Sequence, residues 1–234
     1  MNKKVVFLTL QTLLIASLYA EDKIENRAEL SYVNSSGNTN TSSLNGSILS
    51  EAKFDEQELK AKANIFRSKD NNKKSANKYE INLDYSHMIG DRLYTYLDAY
   101  FEKDEFSDYK SRLNIGPGLG YKFIYTDDEV LDIQGGTAYA VDRFDDKKTD
   151  RYLAPRVEMN YKYKIKENIE FRQMLSYLFS SNSTNRYFVK SETGVYVKMI
   201  ENLSLGINYK LDYVNKTEKK KLDRKFMTSL VYDF

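Results

Sequence analysis

The sequence offers few groups with which to do covalent chemistry. Its single histidine, His87, follows Ser86 and lies three positions after Asp84. A serine hydrolase needs nucleophile and imidazole within hydrogen-bond reach and a third group to orient the base. Adjacent side chains of a strand point to opposite faces, so Ser86 and His87 part company if this segment is extended. His87 also sits three residues before Gly90, beside a turn, where an interfacial imidazole is the simpler reading. No catalytic residue is assigned, and a lipid-modifying enzyme stays the weakest of three functional readings. There is no cysteine, so disulfides, thiolate metal sites and a cysteine nucleophile are excluded. One histidine excludes a multi-histidine metal centre. No metal or cofactor is expected. A formal charge of +2 gives no nucleic-acid footprint.

Two other groupings could carry function. The first is Gly116-Pro117-Gly118-Leu119-Gly120. A phosphate-binding glycine loop must connect a strand to a helix, and no helical pattern follows. In an extended chain Gly116, Gly118 and Gly120 share one face, which Gly136, Ala138 and Ala140 of the next segment continue. One reading sets Tyr94, Tyr96 and Tyr100 of the preceding strand over the bare glycine backbone. The other is a hollow that widens a permeation path. Pro117 inside a strand predicts a local bulge. The second grouping is a set of charges of both signs at alternating positions. Lys60, Lys62, Arg112, Lys122, Arg156, Lys162, Lys164, Arg172 and Lys210 oppose Glu51, Glu80, Asp84, Asp98, Asp132, Glu158, Glu170 and Asp212. Such a set either pairs into a solid, salt-bridged filling or lines a narrow, weakly selective hydrophilic channel.

The elements that position these residues are strands. Leu93, Thr95, Leu97, Ala99 and Phe101 alternate with Tyr94, Tyr96, Asp98, Tyr100 and Glu102. Leu203, Leu205, Ile207, Tyr209, Leu211 and Tyr213 alternate with Ser204, Gly206, Asn208, Lys210 and Asp212. Val157, Met159, Tyr161, Tyr163 and Ile165 do so with Arg156, Glu158, Asn160, Lys162 and Lys164. A period of two with one apolar face is a strand signal. Short turns at Asp55-Glu56, Gly90-Asp91, Asp127-Asp128, Glu167-Asn168 and Glu201-Asn202 alternate with longer polar loops. The loops are Ser35 to Thr41, Ser68 to Asn77, Lys103 to Asp108, Asp145 to Asp150, Ser181 to Asn185 and Lys216 to Asp223. Eleven connections make twelve strands. No linker or composition shift divides them, so one domain is expected.

Residues 1–20 read separately. Lys3 and Lys4 precede an apolar run from Val5 to Leu18, and Ala20 precedes Glu21-Asp22-Lys23. This is the layout of a secretory signal peptide cleaved after Ala20, too short for a helical membrane span. Its removal leaves a mature segment, 21–234, with 34 basic against 34 acidic residues. An exported chain with apolar and polar faces on every strand, short turns at one rim and longer loops at the other is an outer-membrane barrel. The expected fold is therefore all-β, a single closed antiparallel up-and-down transmembrane barrel of about twelve strands. Closure removes the unpaired edges that lipid cannot satisfy. Mean hydropathy is negative, at −0.64, because only every second residue need face lipid. An even strand count places both ends, and the short turns, on the periplasmic side.

Tyr121, Phe123, Tyr125, Tyr161 and Tyr163 gather near that rim, as an interfacial girdle requires. Leu230, Tyr232 and Phe234 alternate at the chain end and resemble the signal read by the barrel-assembly machinery, which is thus an expected partner. Outer-membrane lipids are another, and Lys216-Thr217-Glu218-Lys219-Lys220-Lys221 is a candidate contact for lipopolysaccharide phosphates. A monomer is expected.

Three segments together resemble the YdiY-like family of salt-induced outer-membrane proteins. They are Ala28-Glu29-Leu30-Ser31-Tyr32 leading to Ser36-Gly37-Asn38-Thr39-Asn40, then Gly116-Pro117-Gly118-Leu119-Gly120-Tyr121, then Leu230-Val231-Tyr232-Asp233-Phe234. The resemblance covers essentially the whole mature segment. It implies an outer-membrane barrel and a link to osmotic stress, and it transfers no catalytic residues.

Overall fold

A computed structural model describes residues 24–35, 41–144, 146, 148–181, 185–218 and 220–234. The signal peptide expected at 1–20 lies outside the described residues, as do Ser36–Asn40, Asn182–Thr184 and Lys219 of the longer loops. Among the described residues the chain forms twelve strands: β1 (Ile24–Ser35), β2 (Thr41–Phe54), β3 (Gln57–Asp70), β4 (Lys73–Met88), β5 (Leu93–Asp104), β6 (Tyr109–Tyr125), β7 (Glu129–Phe144), β8 (Thr149–Lys166), β9 (Ile169–Phe179), β10 (Tyr187–Ile200), β11 (Leu203–Val214) and β12 (Leu222–Asp233). Each pairs antiparallel with its chain neighbours, and β1 pairs with β12 to close the barrel. A strand needs about 9–11 residues to cross a bilayer. At 17 and 18 residues, β6 and β8 are long enough to run well past it.

Alternation explains which face each residue takes. On β5, Leu93, Thr95 and Leu97 are exposed on the outer surface while Tyr94, Tyr96 and Asp98 are buried inside. On β11 and β12, Leu205, Ile207 and Tyr209, then Phe226, Leu230 and Tyr232, are exposed apolar side chains. This is a protein with its grease outside, the inverse of a water-soluble domain. His87 faces out with Tyr85 and Leu83, and Ser86 faces in, so the pair diverges as the strand geometry demands.

The closing seam is short. Four cross-strand pairs join β1 to β12, from Arg27↔Asp233 to Leu30↔Leu230. Below them Asn26 and Phe234 exchange backbone hydrogen bonds at 3.0 and 2.9 Å. Arg27 grips Asp233 through Nε and Nη2 at 2.6 and 3.1 Å. A forked guanidinium–carboxylate pair fixes orientation as well as charge.

Three sequence expectations are corrected. The longer loop expected from Ser68 to Asn77 is a two-residue turn, because β3 runs to Asp70 and β4 begins at Lys73. Asn71 and Asn72 have φ of 46° and 62°, the left-handed pair that a tight hairpin needs and asparagine tolerates. Pro117 makes no bulge. Register is the same on either side of it, with Ile115↔Tyr139 and Gly118↔Gly136, while Gly116 and Pro117 have no partner assigned on β7. A proline can sit in a closed barrel if the ladder simply lapses where its N–H would have been. β6 shifts register near its ends instead, between Tyr109 and Ser111 at the long-loop end and, at the short-turn end, across a bulge between Lys122 and Ile124. Beyond it Tyr125, expected on the outer girdle, borders the barrel interior instead.

The fold makes a direct prediction. Leu97→Arg, on the lipid face near the middle of β5, should destabilise the folded barrel by roughly 2–4 kcal/mol. Urea titration of the refolded protein in lipid vesicles measures it.

Candidate functional site

The barrel interior holds a cavity of about 1140 Å³. Its lining runs from Arg27, Met88, Tyr125 and Phe234 at the short-turn mouth to Lys78, Arg112, Phe188 and Lys190 toward the long-loop end. Most of the sequence-derived charges line it, including Glu51, Lys60, Lys62, Glu80, Asp84, Lys122, Asp132, Arg156, Glu158, Lys162, Arg172, Lys210 and Asp212. Lys164 does not. It stands at the short-turn rim, in register with Glu170 on β9 and 3.4 Å from Asp128.

The filling is lopsided. On the inner face of β5–β8, Tyr94, Tyr96, Asp98, Arg112, Asn114, Ala138, Ala140, Tyr152 and Ala154 are all buried. The small residues do not open a hollow. A side chain at Gly120 would begin 2.0 Å from the Tyr94 ring, and one at Gly118 would begin 2.2 Å from the Tyr96 ring. Both glycines are therefore seats for tyrosines from the neighbouring strand. Tyr94 continues across to donate its hydroxyl to Asp132 Oδ2 at 2.7 Å. Ala138 and Ala140 are wholly buried with Tyr152 and Ala154, and Leu178 packs against them. Gly116, Gly118, Gly120, Gly136, Ala138 and Ala140 face inward as expected but lie behind the cavity surface, so the hollow-wall reading is corrected. Tyr100, expected over the glycines, serves elsewhere.

The stripe has a further tenant. Arg156 on β8 reaches over β6 and β7 to Asp98 on β5, with Nη1 to Oδ2 at 2.7 Å, and its guanidinium lies 5.1 Å from the Tyr96 ring centre. Asp98 is thereby 1% exposed and leaves the cavity surface to Arg156. It faces Asp84 directly in register, so the arginine also offsets a like-charge pair. Glu158 is held by Gln134 Nε2 and Asn160 Nδ2, each at 3.0 Å. Lys122 lies 4.3 Å above the Tyr125 ring at the mouth.

Toward the long loops, side chains span the interior. In a ring of twelve, β4 and β10 are diametrically opposite. Lys190 on β10 nevertheless reaches Glu80 on β4 at 3.4 Å and Glu102 on β5 at 3.0 Å. It also donates to Tyr100 Oη at 2.6 Å. Lys78 on β4 meets Glu80 and Glu102 at 3.1 Å each and Asp212 on β11 at 3.5 Å. Tyr109 closes the group by donating to Glu102 Oε1 at 2.6 Å. Beside it Arg112 forms a forked pair with Asp142, both contacts 2.7 Å, while sandwiched 4.1 Å from the Tyr109 ring and 3.7 Å from Phe188. Tyr152 and Arg186 also approach Asp142, at 2.9 and 3.8 Å. Glu102 and Asp142 are 1% and 0% exposed. Outside this layer, Lys74 at the start of β4 donates at 3.0 Å to Glu105 in the β5–β6 loop, and that hydrogen bond holds the Glu105 carboxyl below its usual range.

Sequence reasoning found Arg112, Glu80 and Asp212 but not Lys78, Lys190, Asp142 or Phe188. The signal was present, since Phe188, Lys190, Glu192, Gly194 and Tyr196 alternate on β10 as an inner face. Which of these would meet across the lumen was not legible, because nothing local encodes diametric contact.

A family profile described as "Protein of unknown function, DUF481" matches residues 28–234. The chain belongs to that family. No curated protein sequence matches it. Among solved structures it is similar to the COG4313 outer-membrane channel from Pseudomonas putida F1, with a TM-score of 0.58 and 7% identity over 91% of this chain and 96% of that one. The NanC porin aligns with a TM-score of 0.50 and 12% identity, over 90% of this chain and 98% of that one. The KdgM porin gives 0.50 and 13% over the same shares. At these identities the likeness is one of fold, the closed barrel of outer-membrane proteins.

The tyrosine seats predict coupling. Gly120→Ala should cost roughly 1–3 kcal/mol through overpacking. In the Tyr94→Ala background most of that cost should vanish, giving an interaction energy above about 0.5 kcal/mol. A double-mutant cycle read by urea unfolding in vesicles decides it.

Proposed function

We propose that the chain is an exported outer-membrane channel for small hydrophilic solutes, narrow and weakly selective. The observation that carries this reading is the axial cavity of about 1140 Å³ lined by charges of both signs. Eight-stranded barrels are filled by their side chains and sixteen-stranded porins are open, so twelve strands leave room for a path only where packing is one-sided. Here the packed side is β5–β8, and Glu51, Lys60, Lys62, Arg172, Glu192 and Lys210 face water on other strands. The barrel fold shared with porins supports the address, as do the leader-like segment at 1–20 and the alternating Leu230, Tyr232 and Phe234. These three are the residues we assign to the barrel-assembly machinery. Membrane lipids, including lipopolysaccharide near the Lys216–Lys221 loop, complete the expected surroundings of a monomer. The resemblance to the YdiY-like group supports a role under salt stress.

A second reading has its own observation. The layer of Lys78, Glu80, Glu102, Lys190 and Asp212 bridges the lumen, as a filled structural barrel would. In the channel reading it is the constriction. Planar-bilayer recording separates the two. Pure refolded protein should give small current steps, and Glu102→Gln/Lys190→Met, which removes one charge of each sign, should enlarge them severalfold. Absence of steps from both proteins means a filled barrel. Because Lys190 and Asp212 are partly water-exposed, salt should weaken their cross-lumen attraction. Conductance should then rise faster than bulk conductivity between about 0.1 and 1 M KCl, where screening tightens from about 10 to 3 Å. Fractionation with the outer membrane tests the address independently.

A further inference from the structure

The outer surface of β5–β8 carries cations where a lipid-facing wall should be apolar. Lys103 on β5 pairs in register with Ser111 on β6, and Ser111 pairs with Arg143 on β7. Arg151 on β8 pairs with Val141, one step below Arg143 on the same face. Alternation puts all of these outside, because Glu102, Arg112, Asp142 and Tyr152 are buried on the inner face. Between them is a groove of about 220 Å³ lined by Phe101, Ser111, Leu113, Val141, Arg143 and Arg151. None of the six is acidic. Arg143 and Arg151 make no ion pair among the described residues, in contrast to Arg112, whose partner Asp142 lies behind the same wall.

A charge on the lipid face is costly at mid-bilayer and nearly free of cost at the interface. The pair lies within two residues of the long-loop ends of β7 and β8, at headgroup depth if those loops face outward. Phe101, Leu113 and Val141 form an apolar row one step below Lys103 and Arg143, and Arg151 ends that row. A cationic edge bordering an apolar row matches an amphiphile with an anionic head. Arginine suits phosphate in particular, since its fork of donors matches two phosphate oxygens.

We propose that this groove is a binding site for a phosphorylated lipid of the outer leaflet, with Arg143 and Arg151 holding the phosphate, Lys103 adding charge and Phe101, Leu113 and Val141 seating the first acyl carbons. The site rests on the outer-membrane reading but not on conduction through the lumen. Its test uses purified protein, so failure of the address and failure of the site are separable. Full-length protein in a neutral detergent is titrated with bisphosphorylated lipid A and followed by native mass spectrometry. One retained lipid is expected, bound at least about tenfold more weakly by Arg143→Ser/Arg151→Ser, since each cation at an anionic surface contributes appreciably. Arg224→Ser removes an outward cation at the same end of β12, away from the groove, and should leave binding unchanged. The shift in electrophoretic mobility between unboiled and boiled samples checks that each variant is folded. Undiminished binding by the double variant overturns the site. So does equal retention of dephosphorylated lipid A, which would mean apolar adhesion alone. Displacement of the lipid by an equal concentration of inorganic phosphate would overturn it too, by reducing it to a simple anion site.

Discussion

A backbone amide inside a hydrocarbon layer has no water to bond, and leaving it unsatisfied costs several kcal/mol. Everything else in this molecule follows from that constraint. Twelve strands answer it by closing, so the last donors of β12 meet the first acceptors of β1. Closure then divides every strand into a lipid side and an interior side at a period of two. The seam is its weakest stretch, with four registered pairs, and the forked Arg27–Asp233 contact is placed there. The charge pair sits at the mouth, where water limits its desolvation, and its two-point geometry fixes the register of β1 against β12.

The same division forces polar residues inward, and the interior must then dispose of them. Isolated charges in such a space would be costly, so they are paired. Two styles of pairing coexist. Against β5–β8 the pairs are dry and forked, as in Arg112–Asp142 between two aromatic rings. Across the lumen they are looser and shared among several partners, as Lys190 is shared between Glu80 and Glu102. The dry pairs act as wall, because removing one partner strands a buried charge. Lys190, which is 29% exposed, has two carboxylates within reach and can keep one while leaving the other.

Fold and face assignment were legible because they depend on local alternation. Leu97 and Asp98 go to opposite sides whatever their neighbours do, and the short turns end the strands where Gly90 or Glu167-Asn168 says. The glycine stripe was legible as a feature but ambiguous in meaning. Gly118 and Gly120 are equally good at leaving space and at receiving a ring, and only the register of β5 against β6, which sets Tyr94 opposite Gly120 and Tyr96 opposite Gly118, chooses between them. The Asn71-Asn72 turn was misread as a loop because polar residues continue on both sides of it. There, strands project beyond the membrane and alternation loses its apolar half. Diametric contacts such as Lys190 to Glu80 depend on the closed cross-section and have no local signature at all.

One wall thus carries asymmetry on both of its faces. Within, β5–β8 is packed with tyrosines, alanines and ion pairs; without, it presents Lys103, Arg143 and Arg151. The two are physically connected. A wall whose inner face is dry and interlocked keeps its outer side chains in fixed relative positions, which a forked phosphate contact requires. The strands bordering the cavity lack that backing, and their inner side chains face the cavity instead. Dense packing on one arc and a charge-lined cavity on the other give this twelve-stranded barrel an interior that is neither uniformly filled nor uniformly hollow.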